Sequence, residues 1–316
     1  MMKALSKENR FYLMGIAILA VILHHLWLRC DLAWGVQSGF LALFKDGNIG
    51  VDVFLFVSAF GCCASWEHNR GCRYFVNRIK RIWPQYILFL LLVQFFFGRE
   101  TALVVKVKDA LLSLSGLSVI CCFGTYIEWY IPSLMVMYLF IPLMMCAQKL
   151  LRGSGGTIVL VVALVAVWRL HKLDLFYDLF VWRIPIMLSG IVAYVNRSEI
   201  EKLCKTFTIT IMVALCTRQQ ILVNSMMIPL LILILSNVDF SKLWQFQILS
   251  WVGKHSLEIF LAQTITTQYL MYHFYWCNVW LSLFSIVAIT IGLSFLFGVF
   301  QWLIDRTIYK QNVNRV

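Results

Sequence analysis

Charge is what this 316-residue sequence has least of: only 13% of its residues are Asp, Glu, Lys or Arg, against 61% apolar ones. A soluble domain of this length needs a wet surface that such a composition cannot cover, and the mean hydropathy of +0.81 excludes that class. Also missing are an internal repeat, a low-complexity tract and any Pro/Gly/Ser linker long enough to divide the chain, so residues 1–316 read as one domain. No short apolar segment with a small-residue cleavage site precedes the first long apolar run, and that run is expected to stay in the membrane. The ten cysteines contain no metal-type or redox-type CxxC pair; Cys62, Cys63, Cys121 and Cys122 lie in or beside apolar runs, as small packing residues do.

What is present is apolar length. A helix needs about 17 to 25 apolar residues to cross roughly 30 Å of hydrocarbon, and the sequence supplies about ten such runs. They fall near residues 11–29, 48–66, 82–97, 126–148, 156–170, 176–195, 206–220, 221–236, 247–270 and 279–304. The expected fold is therefore all-α, a polytopic transmembrane helical bundle of about ten transmembrane helices. The stretch 103–123 carries Lys106, Lys108 and Asp109 and is expected to lie on the surface or re-enter. Residues 151–156 read as a flexible loop between the fourth and fifth spans.

The net charge of +12 does not point to nucleic acid, because the basic residues sit between spans rather than in one patch. Segments holding Arg70, Arg73, Arg78, Lys80 and Arg81 alternate with segments poorer in Lys and Arg, which favours ten spans with both termini cytoplasmic. On that count Asn196, in the sequon Asn196-Arg197-Ser198, lies on the cytoplasmic side and is no glycosylation site.

Against this background the polar residues inside spans stand out. The first run holds His24 and His25, and an ionisable side chain at membrane depth reads as functional by default, beside the alternative of a neutral imidazole bonded to a neighbouring helix. His25 lies about 16 Å along the helix from Met14, and His24 points about 100° away from it. Asp52 opens the second span, expected level with His25, and is the candidate to fix the imidazole's tautomer; the alternative is a carboxylate at the water interface. Arg78 and Arg81 share a helical face at the inner boundary, where forked donors grip phosphates or meet lipid headgroups, and Pro84 is read as the point where a surface segment gives way to the third span. Glu128 begins the fourth span from outside, within reach of a sugar hydroxyl or a shared proton, and Trp129 and Tyr130 read as interfacial belt residues. Lys254 and Glu258, four apart, read as a local structural pair.

These residues fall in ordered blocks, and the chain resembles the integral-membrane acyltransferase 3 family, bacterial enzymes that O-acylate surface glycans. Gly15-Ile16-Ala17, Val21 and His25 match the family's first block, with Met14 where a basic residue is usual and Arg10 one turn earlier. Gly50 to Phe60 is similar to its GvdlFFxxSGF block, Arg78 to Pro84 to its RxxRxxP block, and Trp129, Tyr138 and Pro142 to its Trp-to-Tyr block, although Leu134 and Met135 replace the Glu pair of the O-antigen branch. Lys254 to Leu261 resembles its late block, with Gln263 where a His is common. The resemblance implies an O-acyltransferase, most simply an O-acetyltransferase, in a bacterial plasma membrane. Acetyl-CoA would be its donor and co-substrate, with no metal; its acceptor would be a surface polysaccharide or lipid-linked sugar. Taken with the reading of the residues, the candidate catalytic residues are His25, Asp52 and Glu128 and the candidate donor-binding residues Arg78, Arg81 and Arg10. A glycan transporter or flippase, and an inactive relative that binds glycan, remain the rival readings.

Overall fold

A computed structural model of the chain describes residues 5–34, 40–97, 103–115, 117, 129–170, 178–235, 247–270 and 279–313. Among them there are helices and turns and no strand. In chain order the helices are α1 (Lys7–Trp34), α2 (Ile49–His68), α3 (Cys72–Phe97), α4 (Leu103–Ser115), α5 (Tyr130–Cys146), α6 (Ser154–Leu170), α7 (Asp178–Val181), α8 (Ile184–Val195), α9 (Ile200–Thr217), α10 (Gln220–Ile234), α11 (Gln247–Lys254), α12 (Ser256–Thr264) and α13 (Val279–Val313). A π-helical turn, Ile265–Leu270, follows α12.

Three of these segments, Asn9–Leu28, Ala42–His68 and Phe284–Thr307, are long and apolar enough to cross a membrane, and four shorter apolar helices accompany them. The outward faces are apolar: Leu139 and Leu143 on α5, Ile158 and Val162 on α6, and Phe284, Ile291 and Phe295 on α13 are all exposed. Water does not tolerate an apolar surface of that extent, whereas a bilayer requires it, and this is a membrane protein.

Where apolar burial cannot drive helices together, close backbone approach does, and glycines permit it. A Cβ at Gly253 would stand 1.8 Å from the Phe11 carbonyl oxygen, and one at Gly15 would stand 2.1 Å from that of Leu249, so α1 and α11 touch backbone to backbone. Gly50 meets the Ala17 carbonyl and Gly190 that of Phe56 in the same way, joining α2 to α1 and α8 to α2. Gly253→Ala is expected to destabilise the bundle by about 1–3 kcal/mol through overpacking. The reading is thermal unfolding in detergent, with Gly298→Ala, whose added methyl meets open space, as the unchanged control.

Several sequence expectations change. Pro84 does not begin a new segment: α3 runs unbroken through it, carrying Arg78 and Arg81 on the same helix as the apolar stretch. A proline lacks the N–H that would bond the carbonyl four residues earlier, and that carbonyl, of Lys80, instead accepts the Gln301 side-chain amide from α13 at 3.3 Å. The loop at residues 151–156 is short and tied down. Leu151 is buried, its carbonyl accepts Asn196 Nδ2 at 2.7 Å, and the Gly153 N–H donates to Asn196 Oδ1 at 2.8 Å. Asn196 therefore serves as a buried clasp. The ninth apolar run breaks at His255 into α11 and α12, and α9 turns into α10 through Arg218 in the left-handed conformation (φ 56°).

Candidate active site

His25 is half-buried on α1, and its Nδ1 lies 3.0 Å from Gln263 Oε1 on α12. The neighbours of Gln263 fix which end of the amide faces the ring. Thr264 Oγ1 donates to the Phe260 carbonyl at 2.8 Å, so it accepts the Gln263 NH2 group at 3.2 Å, which turns Oε1 toward His25. An amide oxygen only accepts, hence the imidazole carries its proton on Nδ1 and its lone pair on Nε2, the atom that takes a proton or attacks a carbonyl. The His24 ring stands 5.6 Å from that of His25 and shares no part in this arrangement. Gln263 lies two residues before the π-helical turn, a local irregularity of the kind that often marks functional positions.

Asp52 does not hold His25. It is 2% exposed, its Oδ1 lies 3.4 Å from Arg183 Nε, and its Oδ2 accepts the Ser225 hydroxyl at 2.9 Å. The register of α1 against α2 explains the difference. Gly47 packs on Ala20 and His24, and Gly50 on Ala17 and Val21, which puts Asp52 level with about Ala17. His25 lies eight residues further along α1, about 12 Å away along the axis. The carboxylate anticipated beside the histidine is thus replaced by a neutral amide, and Asp52 belongs to a buried ion pair joining α2, the start of α8 and α10. Arg183 also stands over the Trp129 ring at 5.1 Å, and Tyr130 is buried, so these two aromatics are packing residues rather than a lipid-facing belt. Glu128 lies outside the described residues.

A cavity of about 570 Å³, within the size range of small-molecule sites, runs between α1, α2, α3, α5 and α12. Arg10, His68, Arg78 and Arg81 stand at one end and Phe54, Tyr130 and Phe260 at the other, with Met14, Ser58, Cys62 and Tyr138 along its walls. Gly61 makes room for Arg10, whose guanidinium Nη1 lies 2.2 Å from where a Cβ would be. The Arg78 guanidinium is held 5.4 Å from the Tyr74 ring and 5.6 Å from that of Tyr138. Among the described residues no carboxylate pairs with any of the three arginines, and the buried Arg78 Nε has no hydrogen-bond partner. An assembly of guanidinium groups without acids at a cavity mouth suits a polyanion such as a diphosphate.

His25 is not on the cavity wall. The Tyr130 and Phe260 rings, with centroids 4.7 Å apart, and Phe54, 6.2 Å from Tyr130, close the far end. Gln263 follows Phe260 by three residues, about 4.5 Å along α12, so the His25–Gln263 pair sits within one turn beyond that aromatic floor. The sequence singled out both ends of this path, and Gln263 itself was visible as the residue standing where a histidine is common. The aromatic floor had no sequence signal, since Phe54, Tyr130 and Phe260 are ordinary residues of apolar helices. Lys254 and Glu258 do not form the anticipated pair: Glu258 Oε1 accepts Gln85 Nε2 at 3.0 Å, and Lys254 Nζ stands 5.6 Å from the centre of the Phe11 ring.

Comparison with known proteins gives two matches. A family model described as an acyltransferase domain, of the acyltransferase 3 type, matches residues 12–299. A protein of Acidianus two-tailed virus named "Putative acetyltransferase ORF330" is 34% identical over 138 residues, which cover 42% of this chain and 38% of that protein, so the match spans less than half of either. No solved structure matches.

Proposed function

The chain belongs to the acyltransferase 3 family of acyltransferase domains, and from that premise we propose that it is a single-domain membrane O-acyltransferase. In this reading it moves an acyl group, acetyl in the simplest case, from cytoplasmic acyl-CoA to a hydroxyl of a surface or lipid-linked glycan. The observation that carries it is the acid-free arginine mouth of a cavity whose far end lies one helical turn from an oriented histidine. The site lies in a plasma-membrane bundle of about ten spans with both termini inside, the orientation that brings the arginines to the face where the donor resides.

The diphosphate of the donor binds Arg10, Arg78 and Arg81, and Arg10 supplies from one turn away the charge that Met14 does not. The pantetheine arm lies along Ser58, Cys62 and Tyr138, and the thioester passes the Tyr130–Phe260 contact when those rings part. The acceptor hydroxyl meets it at His25. Nε2 takes the hydroxyl proton as the oxygen attacks the thioester carbonyl; the C–S bond breaks, an ester C–O bond forms, and the proton passes to the departing thiolate. Alternatively Nε2 attacks first and expels the CoA thiolate; the hydroxyl oxygen then attacks the acyl-imidazole, the C–N bond breaks as the ester C–O bond forms, and the hydroxyl proton passes to the thiolate. Gln263 acts in both routes by keeping the lone pair on Nε2.

Arg78→Ala and Arg81→Ala are expected to raise the KM for acyl-CoA about tenfold each, the loss of one charge-assisted contact, with the acceptor KM little changed. Initial rates at varied donor and acceptor concentrations measure this. Unchanged donor KM in both variants would leave these arginines as topology residues only.

A further inference from the structure

Beside the donor cavity lies a second chamber of about 330 Å³ between α3, the α11–α12 junction and α13. The two are contiguous, because Arg81 and Leu257 line both. Three cations, Lys80, Arg81 and Lys254, stand around it, and among the described residues none of them is in an ion pair. Two carboxylates are present as well, and each is already engaged by an amide: Glu258 accepts Gln85 Nε2, and Asp305 accepts Gln301 Nε2 at 3.0 Å.

Those amide bonds leave one acceptor over on each glutamine. Gln85 is 2% exposed, and with its NH2 group committed to Glu258 its Oε1 is buried without a partner. Gln301 gives its NH2 group to Asp305 and to the Lys80 carbonyl, and its Oε1 is likewise buried without a partner. A buried acceptor without a donor is unfavourable, and here two side chains that carry one each line one chamber together with three cations and two carboxylates that amides already engage. The ligand that satisfies both carries N–H donors at one end and phosphate at the other.

We propose that this chamber holds the adenine and 3′-phosphate of acyl-CoA, with the exocyclic amine directed to Gln85 Oε1 and Gln301 Oε1 and the 3′-phosphate to Lys80 and Lys254. The inference rests on the acyl-CoA reading above and extends it: Arg81, shared by the two chambers, sits where the diphosphate joins nucleotide to pantetheine. Lysine suits a terminal phosphate as a mobile point charge, whereas the arginines of the mouth suit the bridging diphosphate.

The test is equilibrium binding to the purified full-length protein in detergent, using CoA, 3′-dephospho-CoA and 4′-phosphopantetheine. Wild type is expected to bind CoA at least about tenfold more tightly than either truncated form. The Lys80→Ala/Lys254→Ala double variant is expected to lose the preference for CoA over 3′-dephospho-CoA while its affinity for 4′-phosphopantetheine stays at the wild-type value. Gln85→Leu is expected to weaken CoA and 3′-dephospho-CoA alike, again sparing 4′-phosphopantetheine. A double variant that keeps the 3′-phosphate preference, or that weakens all three ligands equally, overturns the nucleotide chamber and leaves the acyl-CoA reading standing. If wild type binds none of the three, the acyl-CoA reading itself falls, and this inference with it.

Discussion

His25→Ala is expected to abolish acyl transfer while the protein accumulates in the membrane at its normal level. The residue is half-buried and its hydrogen bond to Gln263 joins two neutral groups, so truncation strands no buried charge and costs about 1–3 kcal/mol for the Gln263 oxygen it leaves, less than breaking a buried ion pair. The chemistry has no substitute for it, because the other imidazole nearby, His24, is engaged by the backbone of Phe44 and Lys45 rather than by Gln263. A positioned general base contributes about 10²- to 10⁴-fold, and a nucleophile more, so the residual rate should fall to background. Gln263→Leu tests the same point more gently. Without the acceptor on Nδ1 the ring divides between tautomers, and kcat should fall while the donor KM holds. Activity retained in His25→Ala at equal protein level would remove the histidine from the mechanism.

The second large effect is expected at a buried ion pair set apart from His25. Arg183 and Asp52 are both 2% exposed and lie 3.4 Å apart, with Ser225 completing the carboxylate's contacts. Removing one member of such a pair leaves the other buried and uncompensated, a loss of about 3–5 kcal/mol. Arg183→Leu should therefore lower membrane abundance and unfolding temperature sharply, and Asp52→Leu should do the same. The double replacement Arg183→Leu/Asp52→Leu should recover much of both, since two apolar side chains fill the site without a stranded charge. Total transfer should track abundance, with transfer per folded molecule unchanged. A variant at Asp52 with normal abundance and no activity would return this carboxylate to the catalytic machinery.

The two residues show where a sequence stops informing. His25 was legible because an ionisable side chain inside an apolar run is conspicuous whatever it touches. Its partner was not, since pairing across helices depends on register, and register here is fixed by Gly47 and Gly50 pressing on the carbonyls of α1. Asp52 looked level with the histidine from run lengths alone and is about two turns away. Pro84 misled for a related reason: its broken hydrogen bond is made good by Gln301, more than two hundred residues later, and no local pattern announces such a compensation. The arginines fared differently. Arg78 and Arg81 share a helical face by spacing, and Gly61, which carries no signal of its own in the sequence, is what lets Arg10 join them. The number of apolar runs was countable, but only three helices among the described residues meet the length and hydropathy of a full span, because several runs are broken by turns or are short.

The central claim, that a donor entering past the arginines delivers its acyl group to a sugar hydroxyl at His25, is tested most directly by membranes containing the protein, labelled acetyl-CoA and candidate glycans. The account predicts label in an ester on the glycan, dependent on His25 and competed by unlabelled CoA. Glycan carried across the membrane with no label attached, or no label transferred from any acyl-CoA to any glycan offered, would contradict it.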